Sequence, residues 1–173
     1  MNPLEQMRSR MEIEDVMRRY ARGVDRLQWD AVRACFHPGA PDEHGDVTGT
    51  YEDMIAYTIE RHKGIPFSQH FLGNCLIEFA DRDNAVVETY FVAWQKMTGA
   101  DTSGDTDLDI FGRYLDHFAR RDGEWRVARR KVLFDSFRAR ASQDVPLKPN
   151  WIRGKRDDSD PLFPFRREIG VGA

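Results

Sequence analysis

Four long segments rich in aromatic and branched side chains occupy the middle of the chain, and turn-forming residues separate them. They comprise residues 67–79, 85–97, 108–120 and 125–137. Aromatic and β-branched residues favour extended backbone, and runs of this kind bounded by turn residues are typical of strands. Asp122-Gly123 tolerates the positive φ of a tight hairpin turn, and residues 81–84 form another polar connection. The sequence therefore predicts four long strands in a mostly antiparallel meander.

Helical periodicity precedes the strands. Apolar residues recur at steps of mostly three and four over residues 4–22, which predicts an amphipathic helix ending near Gly23. A second helix is predicted over residues 27–36 and a third from Tyr51 to about Gly64, whereas residues 40–49 have the polar composition of a turn. Helices followed by a bent meander predict an α+β fold, in which a curved, mostly antiparallel sheet forms a cone closed by the N-terminal helices.

The chain length of 173 residues fits one domain with one core. We assign the α+β cone domain to residues 1–142 and a C-terminal tail to residues 143–173, which contain four prolines and no sustained periodicity. Three interpretations of the tail stay open: it packs on a neighbouring subunit, it covers the pocket as a lid, or it is a disordered end. Residues 98–107 are predicted to form a longer polar loop.

The overall charge argues against nucleic acid and membrane partners. The net charge is −3, so the chain lacks the long-range attraction that phosphate backbones and anionic lipids exert on basic proteins. Its basic run divides between two faces of one predicted strand, Arg126 with Arg130 and Arg129 with Lys131. No apolar run approaches the length of a transmembrane helix, and the N-terminal residues lack a secretory-signal pattern. We therefore expect a cytoplasmic protein.

Side-chain alternation in the first long strand bears on the assembly of the protein. Strict alternation places His70 on one face with Leu72, Asn74 and Leu76, and it places the apolar residues Phe71, Cys75, Ile77 and Phe79 on the other. Both faces are then at least half buried. A sheet covered by helices on one side and by a partner subunit on the other has this pattern, which predicts a homo-oligomer, either a trimer or a dimer.

Asp25 and His70 are the candidate acid/base pair. A carboxylate that accepts a hydrogen bond from one imidazole nitrogen fixes the tautomer and leaves the other nitrogen free to act as a base. The residues alone do not bring the two together. Asp25 also fits a cap for the helix that starts near Leu27, and His70 also fits a histidine satisfied within a strand.

Several motifs in the chain resemble one known family. They are Tyr20-Ala21-Arg22-Gly23-Val24-Asp25, Phe67-Ser68-Gln69-His70, Gly112-Arg113-Tyr114 and Arg121-Asp122-Gly123-Glu124-Trp125-Arg126. With them the chain, from about Leu4 to Ser142, resembles the SnoaL-like branch of the nuclear transport factor 2-like superfamily. Its members include hexachlorocyclohexane dehydrochlorinase, scytalone dehydratase and bile acid 7α-dehydratase. The resemblance implies that Asp25 and His70 form a catalytic pair in which the histidine removes a proton and the aspartate orients it.

The same resemblance suggests roles for two further residues. Tyr20 matches a tyrosine of the bile acid dehydratase where the dehydrochlorinase has a lysine, which favours dehydration, with the phenol stabilising developing oxygen charge. Tyr20 also fits a core aromatic residue. Arg130 matches an arginine at the pocket of these relatives, and a guanidinium on an apolar strand face requires an anionic partner. That partner is Asp25, a substrate carboxylate, the leaving group or another acid of the chain.

Four weaker candidates complete the predicted pocket lining, although each also fits ordinary packing on a sheet. They are Tyr51, Asn74, Tyr90 and Tyr114.

The sequence shows no signature of a metal or cofactor site. The remaining histidines and the two cysteines lack ligand spacing, and no Gly-rich phosphate loop is present. We predict a cofactor-independent, dehydratase-like lyase that acts on a bulky, largely apolar cyclic small molecule. Two alternatives stay open. One is an isomerase or polyketide-cyclase-like enzyme with the same pocket, and the other is a non-catalytic protein similar to the small subunit of ring-hydroxylating dioxygenases.

Overall fold

The computed structural model describes residues 1–99 and 104–171. Its helices are α1 (Pro3–Asp25), α2 (Trp29–Arg33), α3 (Tyr51–His62) and α4 (Leu162–Glu168). Its strands are β1 (Pro41–His44), β2 (Val47–Thr50), β3 (Phe67–Phe79), β4 (Asn84–Met97), β5 (Thr106–Arg121) and β6 (Glu124–Ala141). Part of the predicted polar loop, residues 100–103, lies outside the described residues.

The six strands form one open, curved sheet in the order β2-β1-β6-β5-β4-β3. All neighbouring strands are antiparallel except β1 and β6, which are parallel. The predicted α+β class and the four long strands are confirmed, and Asp122 and Gly123 take positive φ at the β5–β6 turn as expected. The core lies between the N-terminal helices and one sheet face, here called the inner face, which carries Val87, Phe91, Tyr114 and Phe118.

The polar segment 40–49, predicted as a turn, contains the short β1–β2 hairpin instead. Gly45 takes a φ of +63° at its turn, a conformation that glycine adopts without a steric penalty. The hairpin is held by β6, because Asp42 of β1 pairs in parallel with Arg130. Four-residue strands with polar composition carry little signal of their own, so only this tertiary pairing defines them.

The helix ends also differ from the prediction. An Asn2–Glu5 capping box begins α1, which continues to Asp25 rather than ending near Gly23. The second helix is shorter than the predicted 27–36, because Leu27 takes a φ of +57° and Phe36 bridges to β6. Asp25 therefore occupies the last helical turn, directly before a sharp change in chain direction.

A β-bulge in β3 makes the strict alternation predicted for this strand wrong. Leu72 pairs with Phe91 and Cys75 with Thr89, so two residues, Gly73 and Asn74, oppose Tyr90 alone. The extra residue reverses the sheet face that each later side chain of β3 occupies. His70 and Leu72 consequently share the inner side with Cys75, Ile77 and Phe79, whereas Phe71, Asn74 and Leu76 are exposed.

A second bulge, at Ala128 in β6, separates residues that alternation had placed together. Val127 pairs with Phe118 and Arg129 with His117, so Arg130 is fully buried while Arg126 stays partly exposed. The four basic residues of this run all form ion pairs. Arg126 pairs with Glu124 and Arg130 with Asp116. Arg129 and Lys131 both pair with Glu43.

The outer face of the sheet is not half buried in the single chain. Exposed apolar side chains on β3 to β6 include Phe71, Val86, Tyr90, Leu115 and Leu133. This face is therefore available for a partner, and the predicted homo-oligomer stays a prediction.

The tail contacts its own chain. Beyond β6 it returns to the end of α1, where Arg26 pairs with the buried Asp160 at 3.3 Å, and it contains the unpredicted helix α4.

Candidate active site

A cavity of about 470 Å³ opens between the inner face of the sheet, α1 and α3. Its volume lies within the usual range of small-molecule sites. Its buried lining is mostly apolar and aromatic, and includes Val24, Met54, Phe91, Leu108, Ile110 and Tyr114. Exposed residues, among them Asp46, Tyr57 and Phe137, border its open side.

His70 lines this cavity, and Asp25 lies against its ring. His70 Nδ1 is 2.7 Å from Asp25 Oδ1, and the His70 backbone N–H donates to Asp25 Oδ2 at 2.8 Å. Both side chains are largely buried. A carboxylate at Nδ1 places the imidazole proton there and leaves Nε2 as the acceptor nitrogen. The geometry thus fixes the tautomer of His70 and leaves Nε2 as the nitrogen that can accept a proton.

Asp25 does not line the cavity itself but is held behind the imidazole. Ser68 Oγ donates to Asp25 Oδ1 at 3.1 Å, and Arg156 Nε donates to the Asp25 backbone carbonyl at 2.8 Å. The carboxylate thus accepts bonds from Ser68 and from two groups of His70, and the backbone is fixed separately. Ser68 precedes His70 by two positions on one strand, a period-two signal that sequence reasoning had not used.

Tyr20 and Tyr114 line the cavity, contact each other edge to face at a centroid distance of 5.6 Å, and both pack against the buried Arg130 guanidinium. Arg130 Cζ lies 4.2 Å from the Tyr20 ring centroid and 4.3 Å from that of Tyr114, within cation–π range. Its anionic partner is Asp116, through two hydrogen bonds of 2.7 Å. Of the alternatives raised from the sequence, the ion pair with another acid of the chain is therefore the one observed, and Arg130 lies outside the cavity lining.

Burial, opposed by the charge of Arg130, raises the pKa of Tyr20 well above its ordinary value. Burial likewise raises the pKa of Tyr114. Both phenols therefore stay protonated, and each keeps an O–H group that can donate a hydrogen bond. Phe91 stacks on Tyr114 at a centroid distance of 4.4 Å. A side chain at Gly112 would clash first with the backbone carbonyl of Leu133 on β6 and then with the Phe91 ring, both within 3 Å. Glycine at this position thus allows the two aromatic walls to pack.

His62 is a cavity residue that the sequence did not single out. Arg156 Nη2 lies 2.9 Å from His62 Nδ1. Because arginine only donates, Nδ1 accepts and the proton of the neutral ring is on Nε2. Burial, together with the charges of Arg156 and Arg61, lowers the pKa of His62 to about 3. His62 is consequently neutral under physiological conditions. Its position at a helix end gave no signal, since its partner lies in the tail.

Three of the four weaker candidates lie outside the cavity. Tyr51 is buried and stacks on Phe36 at a centroid distance of 5.0 Å. Asn74 lies in the β3 bulge and faces solvent, and Tyr90 is on the outer face. The β3 bulge explains why Asn74 is outside the cavity, because it turns this side chain away from the sheet face that carries His70. Only Tyr114 contributes to the lining.

Within residues 1–99 and 104–171, no group of three or more potential metal-binding side chains comes together. No helix of this described part has the length and apolarity to span a membrane.

Solved structures with the same fold include enzymes by name. The putative scytalone dehydratase from Novosphingobium aromaticivorans DSM 12444 is 20% identical, with a TM-score of 0.68 over 80% of this chain and 92% of that one. The hexachlorocyclohexane dehydrochlorinase LinA-type3 from Novosphingobium barchaimii LL02 is also 20% identical, with a TM-score of 0.74 over 84% and 100%. At these identities the likeness shows the fold alone.

A putative aromatic ring hydroxylase from Novosphingobium aromaticivorans DSM is a third neighbour. It is 22% identical, with a TM-score of 0.68 over 81% of this chain and 96% of that one. No curated protein sequence matches the chain. The family model of the SnoaL-like domain matches residues 5–131, which is well over half of the sequence. The chain therefore belongs to the SnoaL-like domain family of the nuclear transport factor 2-like superfamily.

Proposed function

We propose that the protein is a cofactor-independent lyase of the dehydratase type, with His70 as the base. The observation that supports this proposal is the 2.7 Å contact between His70 Nδ1 and Asp25 Oδ1 at the wall of a cavity whose buried lining is mostly apolar and aromatic. Neighbours named as a scytalone dehydratase and a dehydrochlorinase are compatible with elimination chemistry. The apolar and aromatic lining suits a bulky, largely apolar ring.

In the proposed reaction, His70 Nε2 takes a proton from the carbon adjacent to the one that carries the leaving hydroxyl. The electron pair of that C–H bond forms the carbon–carbon double bond, and the C–O bond breaks. The imidazolium of His70 then returns its proton to the departing oxygen, so that water leaves and the histidine is neutral again. Asp25 stabilises the transient imidazolium and is a positioning residue, because it touches His70 rather than the substrate.

Tyr20 donates a hydrogen bond to oxygen in this scheme, either a substrate carbonyl or the departing hydroxyl. Its raised pKa makes proton donation costly, so the phenol stabilises charge without giving up its proton. Arg130 acts behind it: the buried guanidinium fixes the rings of Tyr20 and Tyr114 and does not reach the substrate.

Turnover of cyclic β-hydroxycarbonyl compounds, followed by the absorbance of the conjugated product, tests the proposal. We expect His70→Ala to reduce kcat/KM about 10²–10⁴-fold, the range of general-base catalysis. His117→Ala is the matched control, because His117 is exposed and bonds Asn84 away from the cavity. Equal turnover by the wild type and the His70 variant would contradict the assignment. Deuterium uptake from solvent into an isomer, without loss of water, would instead favour the isomerase alternative.

A further inference from the structure

One cationic side chain of the cavity has no partner within the part of the chain that the structure describes. Arg61, in the last turn of α3, is partly buried and lines the cavity. Among the residues that the structure describes, its guanidinium forms no hydrogen bond or ion pair. A guanidinium withdrawn from water is stable only when an anion or hydrogen-bond acceptors replace the lost hydration. Arg61 therefore has five donors available to a ligand in the cavity.

The acidic group nearest in this region does not fill that role. Asp46 in the β1–β2 turn is exposed and accepts a 3.4 Å hydrogen bond from the Tyr57 hydroxyl. Burial lowers the pKa of Arg61, and the negative charge of Asp46 only partly opposes this effect. Arg61 nevertheless remains positively charged, since an arginine does not lose its proton in proteins.

Three other polar side chains of the cavity carry no positive charge. His62 is neutral, and the phenols of Tyr20 and Tyr114 are neutral donors. Arg130, which lies behind the cavity lining, is paired with Asp116. Arg61 is thus the group of the described cavity lining that combines a positive charge with free donors.

We propose that Arg61 binds a carboxylate of the substrate, so that the ligand is an apolar ring molecule carrying one acidic group. A planar guanidinium matches a carboxylate through two parallel hydrogen bonds. The acid then lies toward the open side, beside Asp46 and Tyr57, while the ring occupies the apolar interior near His70. This inference rests on the proposed function for the reaction but adds the substrate class.

Calorimetric titration of the full chain with 2-naphthoate and with the neutral 2-naphthamide tests the inference without requiring turnover. We expect the wild type to bind naphthoate about tenfold or more tightly than the amide, as a charge-assisted pair implies. In Arg61→Gln this ratio falls to about one, while amide binding is unchanged. Arg61→Lys retains part of the preference, because lysine keeps the positive charge but lacks the planar pair of donors that binds both carboxylate oxygens.

Lys63→Gln is the matched control, because Lys63 is two residues away, carries the same charge and pairs with Glu60 in solvent. Its ratio should equal that of the wild type. A wild-type ratio near one, lack of binding of both probes, or a full preference in Arg61→Gln overturns the inference. An equal loss in Lys63→Gln also overturns it, since general charge would then explain the preference. His70→Ala should keep the ratio, so a failed lyase assignment remains separate from a failed carboxylate site.

Discussion

The Arg156 side chain donates a 2.8 Å hydrogen bond to the backbone carbonyl of Asp25, 131 residues earlier in the chain. The same guanidinium donates to the carbonyls of Val24 and Ile65 and contacts His62. It thus joins the end of α1, which carries Asp25, to the end of α3, which carries His62. Through this one side chain the C-terminal tail fixes the backbone of Asp25, which lies behind His70, and the ring of His62, which lines the cavity.

Replacement of Arg156 by Ala is expected to lower kcat more than it raises KM. The variant releases the Asp25 backbone and the His62 ring, so the base loses its orientation while the apolar cavity stays intact. We expect a loss of about tenfold or more in kcat, with Arg156→Lys recovering little because lysine cannot reach four acceptors at once. Steady-state kinetics would reveal the split, and Arg153→Ala, at an exposed tail arginine, is the control. An unchanged kcat would show that the tail does not orient the residues of the site.

Ser68→Ala is expected to have a milder effect. The hydroxyl donates one of the bonds to the Asp25 carboxylate, and the two bonds from His70 remain. We expect a loss of about threefold to tenfold in kcat/KM, corresponding to roughly 0.5–1.5 kcal/mol for one hydrogen bond. A loss as large as that in His70→Ala would show that Ser68 takes part in the reaction directly.

His62 is expected to make the fold less stable in acid. Its pKa is about 3 in the folded chain and about 6.5 when unfolded. Between these values the unfolded chain binds the extra proton, so the free energy of unfolding falls as the pH is lowered below about 6.5. In that window one such group contributes up to about 1.4 kcal/mol per pH unit.

Urea unfolding of His62→Gln at several pH values between 4 and 7 measures this contribution. Glutamine keeps an acceptor for Arg156 but does not titrate, so the dependence on pH should become shallower. His37, whose pKa burial also lowers, is present in both proteins and accounts for part of the remaining slope. Identical slopes in the two proteins would show that His62 is not buried in its neutral form.

The buried pair of Arg130 and Asp116 is expected to be costly to break on one side. Asp116→Asn leaves the guanidinium without its anion in a fully buried site, a change that costs about 3–5 kcal/mol of unfolding free energy. The double variant Arg130→Met, Asp116→Leu removes both charges and should recover much of that stability. Denaturant unfolding distinguishes the two cases. A single variant as stable as the wild type would mean that water reaches this pair.

The outer face of the sheet is expected to bind further copies of the chain. Exposed apolar residues on four adjacent strands, Tyr90 and Leu115 among them, form a surface that water solvates poorly. Sedimentation velocity should show a trimer or a dimer for the wild type and a smaller species for Leu115→Glu, whose charge opposes burial. Arg8→Glu, on the exposed side of α1, is a comparison with a larger charge change. A monomeric wild type would contradict the prediction.

The sequence determined the fold class, because strand composition, helical periodicity and turn residues are local properties of the chain. It located the first three helices and the four long strands to within a few residues, but not α4. Motif resemblance singled out Asp25, His70 and Tyr20, and Tyr114 was a weaker candidate for the pocket lining. The sequence could not show the bulges in β3 and β6, since a bulge depends on pairing with a neighbouring strand. For this reason Asn74 and Arg126 were assigned to the wrong faces.

The tertiary structure decided which polar groups meet. The ring of His70 reaches Asp25 only because the end of α1 lies over β3, and Arg130 finds Asp116 rather than the substrate because these residues are cross-strand partners. Arg156 had no sequence signal, since its acceptors are more than ninety residues away. The physical reason is general: local sequence sets backbone preferences, whereas the distance between two distant side chains follows from the packing of the whole chain.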